Sequence, residues 1–123
     1  MRRILVLLTA LALSACSMDA TSPSGSVEGS YTLRSINGSA LPYRFNTGLT
    51  LTSEVLTLYR DGTYQDVSRY SDGTTGTDDG HYSNFNGSLQ FDSNRSSLTY
   101  QGSVSGNVLT EIVNGYTQTF QKN

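Results

Sequence analysis

The chain has 123 residues, room for one domain, and only 15% of them are charged against 36% hydrophobic. One Cys and one His exclude a disulfide scaffold and a zinc framework, and a formal net charge of −2 argues against a nucleic-acid partner, which calls for a basic patch. A Ser- and Thr-rich composition with twelve Gly, eight Tyr and no Trp suits short strands and turns and excludes a coiled coil.

Arg2 and Arg3 form a positive start, and Ile4 to Leu13 is an apolar run. The run is too short for a membrane-spanning helix, which needs about 20 residues, and it suits the hydrophobic region of a signal peptide. Leu13-Ser14-Ala15-Cys16 resembles the bacterial lipobox, Leu-(Ser/Ala)-(Ala/Gly)-Cys, at all four positions. That resemblance implies removal of residues 1–15 and lipidation of Cys16 as the new N-terminus, with palmitate among the chains of its lipid anchor. Multiple acyl chains exceed the two-signal threshold for stable anchoring. The expected location is the bacterial cell envelope, lipid-anchored at the outer membrane and facing the periplasm, because Ser17 and not Asp follows the Cys. The chain from Cys16 onward then carries six basic and ten acidic residues, a net charge of −4, and no second Cys for a disulfide. Residues 16–27 read as a lipidated end and flexible tether, small and polar and broken by Pro23 and Gly25. As a coil, Ser17 to Val27 spans about 18 Å.

Residues 28–123 read as one all-β domain. Period-2 alternation between turn signals predicts eight strands at 29–36, 49–60, 62–70, 75–85, 88–92, 97–105, 107–113 and 115–122. Asp61-Gly62, Asn86-Gly87 and Asn114-Gly115 suit type I′ turns, and Gly106-Asn107 suits type II′. Asn37-Gly38 ends the first strand, and Asp72-Gly73 opens a wider loop. Only the gap at 39–48 has room for a helix. Strand parity assigns Tyr31, Leu33, Leu56, Leu58, Leu89, Phe91, Leu98, Tyr100, Tyr116, Gln118 and Phe120 to the inner face, joined by Tyr64, Tyr82, Val104 and Leu109. Consecutive strands on short hairpins favour an eight-stranded antiparallel up-and-down meander closed into a barrel, since closure removes the exposed edges. An open sandwich is the alternative.

Several motifs recur together: Gly29-Ser30-Tyr31-Thr32-Leu33, Ile36-Asn37-Gly38, Leu41-Pro42, Asp61-Gly62-Thr63-Tyr64, Gly80-His81-Tyr82 and Gly102-Ser103-Val104-Ser105-Gly106-Asn107-Val108-Leu109, closing on Phe120. The set resembles the small bacterial lipocalin-like domains over about residues 28–122. Tyr31 stands where true lipocalins carry a Trp, and Lys122 sits near the end where they carry an Arg. The resemblance implies a calycin-type barrel. It also implies that the long first loop, with Pro42, Tyr43, Arg44 and Phe45, either forms a lid or partner-contact patch or closes one barrel end with its own aromatics.

Catalysis is not expected. His81 has no nucleophile partner by motif, and Gly102-Ser103-Val104-Ser105-Gly106 places Val, not Ser, at the centre of a would-be nucleophile elbow. No metal-ligand spacing and no cofactor motif is present. Asp72, Asp78 and Asp79 read as a solvated hairpin end, not a calcium loop. Glu54, Asp66 and Glu111 lie inside predicted strands. Asp66 shares parity with Tyr64 and Tyr70, so it is either a polar contact inside a cavity, paired with Arg69 or a Tyr hydroxyl, or a wet rim residue. The expected function is binding of a small hydrophobic molecule or lipid, with Tyr31, Leu33, Tyr64, Asp66, Tyr82, Tyr100 and Phe120 as the candidate contacts. The alternative is a filled barrel serving as a protein-interaction or envelope-structural module.

Overall fold

The computed structural model describes residues 26–123. The signal segment, Cys16 and the tether up to residue 25 lie outside the described residues. Ten strands and no helix are present among them: β1 (Gly29–Ile36), β2 (Ser39–Ala40), β3 (Tyr43–Arg44), β4 (Thr50–Leu58), β5 (Thr63–Tyr70), β6 (Thr75–Phe85), β7 (Ser88–Ser93), β8 (Thr99–Ser105), β9 (Val108–Val113) and β10 (Tyr116–Lys122). Each long strand falls within two residues of its sequence-derived span. From β4 to β10 every strand pairs antiparallel with the next, β10 pairs with β1, and β1 pairs with β4. That last pairing closes an eight-stranded barrel and rules out the open sandwich. The 39–48 segment holds no helix: β2 folds back on β1 and β3 on β4.

Local chemistry explains the turns. Asn37-Gly38, Asn86-Gly87 and Asn114-Gly115 have positive φ at both residues, as a type I′ turn requires. Asp61-Gly62 does not, because only Gly62 is positive there. It belongs instead to a three-residue plan used twice, in Tyr59–Thr63 and in Tyr70–Thr74. In each, the Gly amide donates to the Tyr carbonyl and the Tyr amide donates to the Thr carbonyl. In each, the Asp carboxylate accepts from the Thr amide and the Thr hydroxyl.

Two bulges break the period-2 rule. One in β1, between Leu33 and Ser35, turns Ile36 inward along with Leu33. One in β4, between Leu51 and Ser53, turns Leu51 inward along with Glu54, Leu56 and Leu58. Ile36 and Leu51 are therefore core residues that simple alternation does not find. Leu98 is the opposite case. It precedes β8 and is exposed, so it does not face inward with Tyr100.

The two halves of the interior differ. At the end carrying the 59–62, 86–87 and 106–107 turns, the barrel is filled. Tyr31, Leu33, Leu58, Leu89, Phe91, Leu109 and Phe120 are all buried there, and Phe91 meets Tyr64 edge-on at 5.2 Å. Val27, read from sequence as tether, belongs to this core, and its carbonyl accepts a 2.7 Å hydrogen bond from the Tyr31 hydroxyl. An apolar side chain beside an aromatic cluster is stabilised by burial whatever linker precedes it. The Lys122 ammonium lies 5.8 Å from the Tyr31 ring centroid, so the two positions at which the chain departs from the lipocalin pattern meet.

Candidate functional site

The other end of the barrel is hollow. A cavity of about 420 Å³ opens under the 43–49 loop and the β9–β10 turn. The barrel is therefore filled at one end and hollow at the other.

The loop is held over the mouth by its own aromatics. Phe45 packs edge-on against Tyr43 at 5.1 Å and against Tyr116 of β10 at 5.4 Å. Tyr43 also meets Tyr116, at 6.3 Å. The Phe45 amide donates to the Leu49 carbonyl and the Gly48 amide to the Phe45 carbonyl, which folds the loop tip back on itself. Of the four loop residues singled out in the sequence, Phe45 lines the cavity, Tyr43 supports Phe45, and Pro42 and Arg44 point to solvent.

Of the candidate contacts, Tyr64, Asp66 and Tyr100 line the cavity. Tyr31, Leu33, Phe120 and Tyr82 do not. The first three are buried in the filled end. Tyr82 lies against Phe91 there and donates its hydroxyl to the Tyr59 carbonyl at 2.7 Å. Parity alone separates inside from outside but not filled from hollow.

The middle of the cavity carries a tier of acids. Glu54 on β4, Asp66 on β5, Asp78 on β6 and Glu111 on β9 all line it. Glu54 is 4% exposed and Glu111 5%. Pairing register puts Asp66 beside Asp78 and Glu54 beside Ser68, with Glu111 beside Gln118 on the opposite wall. Asp78 accepts from the Tyr64 hydroxyl at 2.8 Å and from the Ser93 hydroxyl at 2.5 Å. Asp66 lacks such support. Its Oδ1 is shut off from solvent without a hydrogen-bond partner. Arg69, the cation offered for it by sequence, is exposed on the outer face.

The acids titrate accordingly. Burial pushes Asp66 well above the carboxylate range, and the Glu54 charge and hydrogen bond push it further. Burial also raises Glu54, against the hydrogen bonds it receives from Asp66 and Ser68. Glu111 is pushed up to about 8, by burial first and then by the charges of Glu54 and Asp78. Burial and the Asp78 hydrogen bond raise Tyr64, which stays a donor.

Glu54, Asp78 and Glu111 were not recognised from sequence as one site. Glu54 shares parity with Leu56 and Leu58, and Glu111 with Leu109, so a signal was present. That β4, β5, β6 and β9 bring these side chains to one level follows only from closure. The Asp72, Asp78 and Asp79 cluster dissolves in the structure. Asp72 caps a turn, Asp78 faces inward, and Asp79 pairs outside with Arg95 at 3.3 Å. Asp78 is therefore not part of a solvated hairpin end. Among the described residues no three His, Cys, Asp or Glu side chains are grouped to hold a metal ion. His81 is exposed on the outside of β6.

A lipocalin-like protein from Bacteroides uniformis has a solved structure that superimposes with a TM-score of 0.54, over 80% of this chain and 100% of that one, at 17% sequence identity. The barrel is lipocalin-like. No family model and no curated protein matches the sequence. The likeness therefore rests on strand order, closure and shape, and it describes the fold alone.

Proposed function

We propose that this lipocalin-like barrel is a binding protein and not an enzyme, and that it holds a small, largely hydrophobic molecule in the hollow half of its interior. The observation that carries this reading is the cavity of about 420 Å³ inside the barrel, roofed by the Tyr43–Phe45–Tyr116 aromatic cluster. Small-molecule pockets of roughly 300–1,000 Å³ with mixed apolar and polar walls are the usual form of such sites. Eight strands also make a barrel just wide enough for one small ligand. Leu49, Leu51, Leu56 and Val113 supply apolar wall, and the acids and Gln118 supply polar contacts.

The same proposal places the protein in a bacterial envelope, anchored to the outer membrane through lipid on Cys16. The lipobox match supports it. The tether would join the barrel at Val27, at the filled end and opposite the mouth. The cavity is then reached from the side away from the anchor.

Native mass spectrometry of residues 17–123 produced in a periplasm tests the binding reading. We expect an adduct that is lost on denaturation and restored by incubation with envelope lipid extract. A bare barrel after that incubation would overturn it. Radiolabelled palmitate should enter the full-length chain and fail to enter Cys16→Ser. Equal labelling of both would overturn the anchor.

A further inference from the structure

The acid tier sets a condition on what occupies the cavity. No Lys, Arg or His is among the cavity-lining residues, so none of the carboxyls there has a cation to neutralise it. Asp66 Oδ1 is buried without a partner, and leaving a buried acceptor unmatched is costly whichever form the acid takes. A purely hydrocarbon ligand would strip away the remaining water and raise that cost. An anionic ligand, such as a fatty acid, would add repulsion. A ligand carrying positive charge would remove it. The upper wall suits the same charge, because Tyr70, Tyr100 and Tyr116 are among the lining residues, and aromatic rings attract ammonium groups, quaternary ones included. A bare metal ion is not favoured by the arrangement, since the acids do not converge as a set of three.

We propose that the cavity takes an organic cation: an apolar body bearing an ammonium or quaternary ammonium head, the head seated among Glu54, Asp66, Asp78 and Glu111. This rests on the reading of the barrel as a container for a small hydrophobic molecule, and specifies the charge of that molecule.

Three probes of equal chain length separate the two claims: decyltrimethylammonium, 1-decanol and decanoate. Each is titrated calorimetrically at pH 7.5 into residues 17–123, which contain the complete closed barrel. The cation is expected to bind at least about tenfold more tightly than either of the others. Glu111→Gln and Asp66→Asn should each cut that preference by about fivefold or more. Both variants should unfold at or above the wild-type temperature, because each removes a buried acid, so lost preference is not lost fold. Decanol or decanoate binding as tightly as the cation would overturn the inference and leave the hydrophobic-ligand reading standing. A cation preference untouched by either substitution would overturn the seating of the head. Failure of all three probes to bind would overturn both readings.

Discussion

Glu111 and Asp66 are acids kept in a place where only their protonated forms are comfortable. Their folded-state affinities for protons are raised, so the folded chain holds more protons than the unfolded one through the range between the two. Stability therefore falls as pH rises through that range. For Glu111 the loss begins above its ordinary value of 4.5 and is complete above about 8, with a limiting slope of ~1.4 kcal/mol per pH unit for one proton. Glu54 from β4, Asp78 from β6 and Gln118 from β10 face the same space, and none supplies a positive charge. Glu28, Asp61 and Asp72 are lowered by their hydrogen bonds to Arg60 or to neighbouring Ser and Thr, and act in the opposite direction at the acid end. Melting temperature without ligand should accordingly be highest near about pH 5 and decline toward about pH 8. Glu111→Gln should flatten the decline, and a melting profile that rises over the same range in the wild type would refute the account. Tyr64→Phe tests the supported acid. It deletes the 2.8 Å bond to Asp78 and leaves a half-buried carboxyl group with one donor fewer, at a cost of about 1 kcal/mol in denaturant titration.

At the scale of the element, strands are kept close by residues that are absent as much as by those present. Gly80 faces inward on β6, paired with Tyr64 on one side and Ser93 on the other. A Cβ there would run into the Asp92 carbonyl of the neighbouring strand. Gly80→Ala should force β6 and β7 apart and destabilise the barrel by about 1–3 kcal/mol, read as a shifted urea midpoint; an unshifted midpoint would mean that the backbone yields freely. The lid loop depends on a different bond type. Phe45 joins Tyr43 to Tyr116 by edge-on contacts, each worth about 0.5–1.5 kcal/mol beyond area burial. Phe45→Ala should speed amide exchange across residues 43–49 while leaving β5 to β9 protected. Uniform loss of protection would show that the loop stabilises the whole barrel.

The whole molecule is polarised along the barrel axis. One end is solid, built on Tyr31, Phe91 and Phe120, and the chain enters there at Val27. The other end is hollow and acidic under an aromatic roof. The filled end supplies the burial that makes the fold stable, at about 25 cal/mol per Å² of apolar surface. The hollow end holds four acids in one cavity, and the cost of desolvating them is set against that stability. Stability and binding are thus divided between two ends of one sheet, and substitutions at the two ends should separate. Phe91→Ala should cost about 3–5 kcal/mol, measured by urea unfolding, against a neutral or favourable effect of Glu111→Gln near pH 8.

Strand positions, hairpin order and the all-β class were legible in the sequence because they depend on short-range rules: alternation, Asn-Gly and Asp-Gly turns, and the need to bury Tyr, Leu and Phe on one face. The inward tendency of Glu54, Asp66 and Glu111 was legible too, from parity with their apolar neighbours. Other features depend on distance in space. The bulges that turn Ile36 and Leu51 inward arise from how neighbouring strands pair. The split between a filled and a hollow end depends on which large side chains reach the same level after closure. The meeting of Glu54, Asp66 and Asp78 with Glu111 joins strands up to 57 residues apart in sequence, from position 54 to position 111. Local pattern determines which face a side chain takes. Only closing the sheet decides which side chains then share the space within it, and here that decision places the acids together in the cavity.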